Sequence, residues 1–231
     1  MERAASILGR SDAAAAPANP FENVPPDVRR RCAERLAEAE ARERAERARR
    51  NLRDAGIPAA FVRARIEDAH PTVRRWADAV ASGRGDWLLL KGKNGRGKST
   101  QACAALIRVA EERRVEFATM QDILDRAEAR KGESRREAID YFKAVPVLLI
   151  DDFGKEDPAS WNLTRVFQVL DGRWRERRPT VITTNMDSKA MIAHMRQGDQ
   201  GGTMVDSIIS RLGSATVVEL DGPDWRMRKG A

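Results

Sequence analysis

Gly92-Lys93-Asn94-Gly95-Arg96-Gly97-Lys98-Ser99 fits the pattern G-x-x-x-x-G-K-[ST] at every position. Glycines at this spacing let successive backbone N–H groups turn toward phosphate oxygens, and a following helix adds the positive end of its dipole. The preceding Asp86–Lys91 is predicted to be a buried strand, and Ser99–Ala110 a helix. This order of strand, glycine loop and helix predicts a phosphate-binding loop, with a nucleoside triphosphate as its ligand.

Two side chains of this loop have separate predicted tasks. Lys98 is placed to reach the β- and γ-phosphates, which makes it a catalytic as well as a binding residue. The Ser99 hydroxyl is placed to help hold Mg²⁺. The nucleotide-binding residues predicted from the loop are Gly92, Asn94, Gly95, Arg96, Gly97, Lys98, Ser99 and Thr100.

Composition narrows the class of protein. The chain has 231 residues, enough for one globular domain plus an extension, and no apolar run approaches the roughly 20 residues that span a bilayer. We therefore expect a cytosolic protein with no membrane partner. The net charge of +7 favours a polyanionic partner only modestly, because 34 of the 42 basic residues are arginine and compositional bias explains much of the excess. Two cysteines and two histidines, all widely separated, give neither a disulfide framework nor zinc-binding spacing.

The chain changes character along its length. Residues 1–26 contain an alanine run and four prolines without periodicity, which predicts a disordered tail. Residues 27–55 are rich in glutamates that precede arginines by four positions, which predicts a charged helix. This helix has few large apolar residues, so it is either solvated or docked on a partner. The core is assigned to residues 56–222 and a short tail to 223–231.

Five short apolar segments are predicted strands, and helical segments separate them. Strands joined by helical crossovers form a mainly parallel sheet with both faces covered. We therefore predict an α/β fold of the P-loop NTPase type, with a central five-stranded sheet flanked by helices and preceded by the charged helical region. The predicted strands are Asp86–Lys91, Val115–Thr119, Val145–Ile150, Pro179–Thr184 and Ala215–Leu220, and helices between them include Met120–Ala129, Ala138–Lys143 and Ser160–Arg177.

Polar side chains follow two of these strands. Asp151 and Asp152 come directly after Val147–Ile150, and ligands of an open parallel sheet bind at the carboxyl ends of its strands. Asp151 is predicted to contact Mg²⁺ through a water molecule, opposite Ser99, and Asp152 to orient the attacking water as a general base. Asn185 ends the next strand, where its amide is predicted to bind that water or the γ-phosphate, a capping role being the alternative.

A later segment, Met204–Leu212, is predicted to form a helix. At 100° per residue, Met204, Ile208 and Leu212 share a buried stripe with Arg211 at its edge. Arg211 is therefore predicted to project into a neighbouring subunit's nucleotide site as an arginine finger. A surface salt bridge is the alternative interpretation.

Taken in order, these motifs resemble the AAA+ family, and within it the helicase loaders of the DnaC type and the related IstB transposition helpers. The resemblance covers roughly residues 50–228. It implies that the nucleotide is ATP, that Asn185 is sensor 1 and that Arg211 is an arginine finger acting in trans. It also implies the roles already given to the phosphate loop and the two aspartates. The segments that carry it are Gly56-Ile57-Pro58 with Phe61, Gly92–Ser99, Ile150–Gly154, Thr184-Asn185, Ile208–Leu212 and Gly222–Arg226.

The resemblance also implies partners. In such loaders the N-terminal region binds the replicative helicase, and the ATPase core assembles into a helical oligomer that contacts single-stranded DNA. We therefore expect a DnaB-type helicase at residues 27–55, self-assembly in the ATP state, and single-stranded DNA as a partner. The basic residues expected to contact DNA, unless they are merely a solvated charge run, are Arg126, Arg130, Lys131, Arg135 and Arg136.

Two features depart from the family pattern. Only 11 residues follow Leu220, so no C-terminal lid domain is expected, and Arg226 is the candidate for a sensor-2 contact with the nucleotide. Asp152 stands where many related ATPases carry glutamate, and its shorter reach favours slow hydrolysis.

Three other functions stay open. The first is an IstB-like helper that loads a transposase on duplex DNA. The second is a P-loop kinase acting on a small molecule, although the pair Asn185 and Arg211 fits hydrolysis within an oligomer better. The third is an interaction module that binds ATP but barely hydrolyses it.

Overall fold

The computed structural model describes residues 24–129, 135–199 and 201–222. The chain divides into two compact units, residues 1–42 and 43–231. The predicted tail at 223–231 and most of the predicted disordered segment, residues 1–23, lie outside the described residues.

The charged N-terminal helix is present as predicted. Helix α1 spans Pro26–Arg53, and none of its side chains is buried. In the second unit, the Arg47 guanidinium contacts Glu112 at 2.7 Å and the Asn51 amide donates to the carbonyl of Ala110 at 2.7 Å. These two contacts hold the last turns of α1 against the rest of that unit.

The five predicted strands form one sheet. Their order is β2-β3-β4-β1-β5, and every pairing in it is parallel. The first strand in the chain therefore lies between the last two, as it does in sheets that bind ligands at their carboxyl ends. The strands are β1 Trp87–Lys91, β2 Val115–Thr119, β3 Val147–Asp151, β4 Thr180–Thr184 and β5 Thr216–Glu219.

Helices cover both faces of the sheet. Most predicted helices lie within two residues of their observed bounds, but α5 begins at Arg135, three residues before its predicted start, and α7 was not predicted. Asp187 accepts the N–H of Ala190 at 2.8 Å and so caps α7, a signal that the sequence does contain. The helices are α2 Pro71–Ala81, α3 Lys98–Ala110, α4 Met120–Ala129, α5 Arg135–Ala144, α6 Ser160–Arg175, α7 Ser188–Arg196 and α8 Thr203–Leu212.

Alternate residues of each strand face different cores. Leu88 and Leu90 of β1 pack in the core that α2 and α3 cover. Trp87 and Leu89 face the other side, where α4 to α8 pack. Burial on both faces explains why these strands are continuous apolar runs rather than alternating ones.

The buried stripe of α8 differs by one position from the prediction. Val205, Ile208 and Leu212 are buried, whereas Met204 is only partly buried. Val205 and Leu212 are seven residues apart, two helical turns, so they lie on the same face as Ile208. The buried stripe of α8 therefore contains Val205 in place of the predicted Met204.

One arginine is fully buried at the amino-terminal edge of the sheet. The Arg173 guanidinium donates to the carbonyls of Phe142, Val145 and Pro179 at 2.7–2.8 Å and to the hydroxyl of Thr180 at 2.8 Å. Burial lowers its pKa to about 9, so it stays protonated at neutral pH and keeps all its donors. This side chain ties α6 to the loops that lead into β3 and β4.

Candidate nucleotide-binding site

The phosphate loop leaves the carboxyl end of β1 and enters α3. A Cβ atom on Gly92 would lie 2.4 Å from the carbonyl oxygen of Leu220, and φ at Gly92 is +149°. Gly95 and Gly97 also have positive φ, at +76° and +74°. These conformations favour glycine, and they aim the loop at the amino terminus of a 13-residue helix, where backbone N–H groups bind anions.

A cavity of about 310 Å³ lies over this loop. It contains the predicted binding residues from Asn94 to Thr100 together with Asp151 and Asp152. Gly92 lies outside the lining, at the start of the loop. Two further lining residues, Phe61 and Lys155, had no assigned role, although Phe61 belongs to a motif quoted above and Lys155 follows the aspartates closely.

Lys98 crosses the loop from the first turn of α3. Its side chain is buried, and Nζ donates to the carbonyl of Lys93 at 3.0 Å. This contact holds the ammonium group inside the curve of the loop, where a phosphate oxygen would be enclosed. The position agrees with the role predicted for Lys98.

Three oxygen-bearing side chains meet at the end of β3. Oδ1 of Asp151 accepts from the Ser99 hydroxyl at 2.8 Å and from the Thr183 hydroxyl at 2.5 Å. The carboxyl group of Asp151 is buried, and its partners come from the loop and from β4. Hard oxygen ligands of this kind suit Mg²⁺, which keeps most of its waters and takes few protein ligands. Ser99 and Asp151 therefore fit a magnesium ion shared with nucleotide phosphates.

Asp152 has an unusual backbone conformation. Its φ is +55°, in the left-handed region that aspartate tolerates better than most residues. Its N–H donates to the Thr183 hydroxyl at 3.1 Å, and its carboxylate contacts Lys155 at 2.8 Å. The turn holds this half-exposed carboxylate at the cavity, which a water-orienting role requires.

Asn185 reaches the phosphate loop from the end of β4. Its Nδ2 donates to Oδ1 of Asn94 at 2.6 Å, and its own Oδ1 is buried without a partner among the described residues. The capping alternative places this side chain on its own turn, whereas here it bridges to the loop. The contact brings the predicted sensor to the nucleotide site.

Arg211, the predicted finger, stands apart from the cavity. Arg211 contacts Asp171 at 2.8 Å, so in this subunit it forms a salt bridge, but a largely buried one rather than the surface pair of the alternative interpretation. Its action in trans stays a prediction. Arg226 lies outside the described residues.

A buried carboxyl group lies close behind the site, which the sequence reasoning missed. Glu156 Oε2 accepts the N–H of Gly154 at 2.8 Å, and Oε1 has no partner among the described residues. Loss of solvent raises the pKa of the Glu156 carboxyl above its ordinary value. The chain thus keeps an ionisable group under the turn that carries Asp152.

A groove of about 580 Å³ separates α5 from α6. Trp161, with 45% of its surface exposed, stands at one end, and the Arg165 guanidinium lies 4.2 Å from the centre of its ring. Arg136 and Lys143 line the opposite wall. An exposed aromatic ring among arginines and lysine is the usual composition of a single-strand binding surface.

The basic residues predicted to contact DNA do not all lie in this groove. Arg136 does, whereas the Arg126 guanidinium packs on the ring of Tyr141, 4.2 Å from its centre. Arg130 and Lys131, and the side chain of Arg135, lie outside the described residues.

The described residues contain neither a metal-binding cluster nor a membrane-spanning helix. Within the described ranges, no group of three His, Cys, Asp or Glu side chains is arranged to hold a metal ion alone. No helix in the same part of the chain is long and apolar enough to cross a bilayer. A magnesium ion held by Ser99 and Asp151 would therefore take its remaining ligands from water molecules and nucleotide phosphates.

Comparison with known proteins identifies relatives of this site and fold. A family model for IstB-like ATP binding proteins matches residues 31–231. The replicative helicase loader DnaI of Bacillus subtilis (strain 168) is 26% identical over 155 residues, which cover 63% of this chain and 49% of that protein. The chain thus spans about half the length of this curated relative.

Solved structures share the fold. A crystal structure of DnaI superposes with a TM-score of 0.58 at 24% identity, covering 74% of this chain and 95% of that one. The DnaC helicase loader gives 0.58 at 20% identity, covering 71% and 100%. The replication initiator DnaA, bound to AMPPCP and single-stranded DNA, gives 0.56 at 16% identity, covering 73% and 52%. The predicted α/β fold, with its central five-stranded parallel sheet, is therefore confirmed.

Proposed function

Because this chain belongs to the family of IstB-like ATP binding proteins, we propose that it is an ATP-driven loader of a DnaB-type replicative helicase. The proposal rests on two side-chain contacts that join the phosphate loop to the carboxyl ends of β3 and β4. Ser99 contacts Asp151 at the end of β3, and Asn94 contacts Asn185 directly after β4. We infer that this site binds and hydrolyses a nucleotide. The similarity to helicase loaders supports a role in replication.

In the proposed reaction, each side chain acts where the structure holds it. Lys98 binds the β- and γ-phosphates and offsets charge that develops on them during transfer to water. Ser99 and Asp151 would hold Mg²⁺, which would neutralise negative charge on the phosphates. Asp152 orients the attacking water, and Asn185 fixes that water or the γ-phosphate from the side of β4. The Lys155 contact competes for Asp152, consistent with slow hydrolysis.

The proposed cycle depends on self-assembly. Arg211 of one copy would contact the γ-phosphate held by another, so that ATP joins subunits and hydrolysis releases them. An arginine supplied in this way couples turnover to the oligomer.

Helix α1 supports docking of a partner protein. Val28, Cys32 and Leu36 are spaced four residues apart, so they form one apolar stripe along the first unit. Leu36 has 62% of its surface exposed, and no side chain of α1 is buried. We infer that the helicase covers this stripe.

The α5–α6 groove supports binding of single-stranded DNA. Trp161 offers a ring on which a base stacks, and the Arg136 and Lys143 side chains are placed for phosphates. Both cations also contact Asp140, at 3.6 and 3.1 Å, so the groove is only moderately basic. Stacking should therefore contribute more to affinity here than charge does.

The deciding experiment is co-purification of the full chain with the DnaB-type helicase of the same source, in ATP. The Leu36→Glu variant interrupts the stripe, whereas Ala41→Glu adds the same side chain on the opposite face of α1. Binding by the wild type and Ala41→Glu, with loss in Leu36→Glu, supports a loader that docks through α1. Binding by none of the three overturns the loader.

A second candidate function, a helper that loads a transposase, is favoured by the IstB-like family match. It predicts a preference for duplex over single-stranded DNA and stimulation by the transposase. Titration of both DNA forms against the full chain separates the two functions.

A further inference from the structure

Arg211 of α8 is held by a carboxylate from α6. Its Nη2 and Nε both donate to Oδ1 of Asp171, at 2.8 and 3.2 Å. Only 21% of the Arg211 side chain and 12% of the Asp171 side chain are exposed, so solvent screens this pair weakly. The other oxygen of Asp171 takes the exposed Arg175 at 2.7 Å.

Two aromatic rings complete the enclosure. The Arg211 guanidinium lies 5.4 Å from the ring centre of Phe167 and 5.1 Å from that of Trp174. Phe167, Asp171 and Trp174 are spaced four and three residues apart, so they form one face of α6. Three side chains along two turns of α6 thus fix a single arginine.

The contacts leave part of the guanidinium available. Nε–H and one N–H of Nη2 form the side edge of the group, and Asp171 occupies that edge. The end edge is formed by Nη1 and the second N–H of Nη2. Among the described residues its only contact is a 3.4 Å hydrogen bond from Nη1 to the carbonyl of Ser207. A phosphate oxygen pair fits such an edge bidentately.

We propose that Asp171 is a positioning residue for Arg211, holding the side edge of its guanidinium so that the end edge meets the γ-phosphate of ATP bound to a second copy of the chain. This inference rests on the proposed function. An arginine without such a partner has four rotatable side-chain bonds to fix at each encounter. Misplacement of a catalytic group by about 1 Å costs up to about 100-fold in rate.

The test separates the subunit that supplies the finger from the subunit that hydrolyses ATP. An Arg211→Ala chain keeps its own site but has no finger, and an Asp152→Asn chain keeps its finger but lacks the proposed base. Asparagine tolerates the left-handed conformation at position 152, so the second variant keeps its turn. The two are mixed at equal concentration with ATP and Mg²⁺, and released phosphate is measured.

The Asp171→Asn change is then added to one chain at a time. Added to the finger donor, it should lower the restored hydrolysis at least fivefold. Added to the Arg211→Ala chain, it should leave restoration unchanged, because that chain supplies no finger. A merely structural role would lower both mixtures equally. Asp206→Asn, which removes an exposed carboxylate paired with Arg196 on the same helix as Arg211, is the matched control in the donor.

Two results overturn the inference and differ in what else they affect. Restoration that is equal with Asp171→Asn and Asp206→Asn donors overturns the positioning role and leaves the finger intact. No restoration in the parent mixture, while the wild type hydrolyses ATP, overturns the finger itself and with it the role of Asp171.

Discussion

The Asn185 side-chain amide donates a 2.6 Å hydrogen bond to the side-chain carbonyl of Asn94, joining the end of β4 to the phosphate loop. The two residues are 91 positions apart in the chain. A nucleotide that enters the loop must meet this pair, because Asn94 lines the cavity. The contact therefore links the phosphate loop directly to the end of β4, where the proposed sensor lies.

We expect Asn185→Ala to reduce kcat for ATP hydrolysis about 100-fold, the usual cost of removing one preorganised donor. The dissociation constant for ATP should change little, because the loop backbone and Lys98 supply most of the binding. Steady-state hydrolysis and nucleotide titration measure the two effects separately. An Asn94→Ala, Asn185→Ala double-mutant cycle should show a coupling of about 1 kcal/mol in the free energy of unfolding. Zero coupling would contradict the contact.

Lys98→Ala should weaken ATP binding about 10–100-fold, since it removes a charge-assisted contact with the phosphates. Lys93→Ala is the matched control. It lies in the same loop with an exposed side chain, and alanine keeps the backbone carbonyl that Lys98 contacts. Titration with a fluorescent ATP analogue compares the variants, and equal loss in both would argue against the role of Lys98.

Trp161→Ala should lower the affinity for single-stranded DNA about 5–100-fold, the range expected when one stacked base is lost. Trp174→Ala is the control, because it has the same 45% exposure on the same helix but lies roughly 140° around its axis. Fluorescence anisotropy with a labelled oligonucleotide at two salt concentrations gives both affinities. If the two variants lose affinity alike, the groove is not the binding surface.

The strands and the phosphate loop were predictable because their signals are local. Continuous apolar runs mark β1 and β3, and the spacing of glycines with Lys98 marks the loop in eight residues. The prediction of Asp151 followed from its place after β3, since carboxyl ends of parallel strands meet at one edge. Each of these inferences needs only neighbouring residues.

The features that could not be predicted from the sequence depend on contacts between distant segments. Phe61 precedes the loop by more than 30 residues, and nothing in its surroundings marks it as a cavity residue. The Asp171–Arg211 pair spans 40 positions, so sequence spacing offers no sign of it. Helix α7 was missed although Asp187 caps it, because its apolar residues are few and methionine-rich. Such features appear only once the sheet brings the segments together.

Arg173→Ala should lower the free energy of unfolding by about 3–5 kcal/mol, since it leaves three buried carbonyls without their donor and opens a cavity. Arg173→Lys keeps a charge but not the planar fork, so its loss should be intermediate. Arg74→Ala, an exposed arginine on α2, should change stability by less than about 0.5 kcal/mol. Urea titration measures all three.

Glu156 should make stability depend on pH with a definite sign. Burial raises the pKa of its carboxyl group above the ordinary value of 4.5, and hydrogen bonds from the backbone N–H groups of Glu156 and Gly154 offset this rise only in part. When the pKa of a group is higher in the folded state than in the unfolded state, the group contributes its full stability below the unfolded-state pKa. That stability is lost as the pH rises through the folded-state pKa. The free energy of unfolding of the wild type should therefore fall as the pH rises above about 4.5.

Glu156→Gln removes this titration and keeps an oxygen that accepts the N–H of Gly154. The Tm of the variant should equal that of the wild type near pH 4.5 and exceed it at pH 8, by about 2–4 °C for each kcal/mol of penalty removed. Glu46→Gln, on the exposed surface of α1, should show no such divergence. Differential scanning fluorimetry across this range measures the gap. A gap that is constant with pH would mean that folding does not raise the pKa of Glu156, which the burial of its unpartnered oxygen argues against.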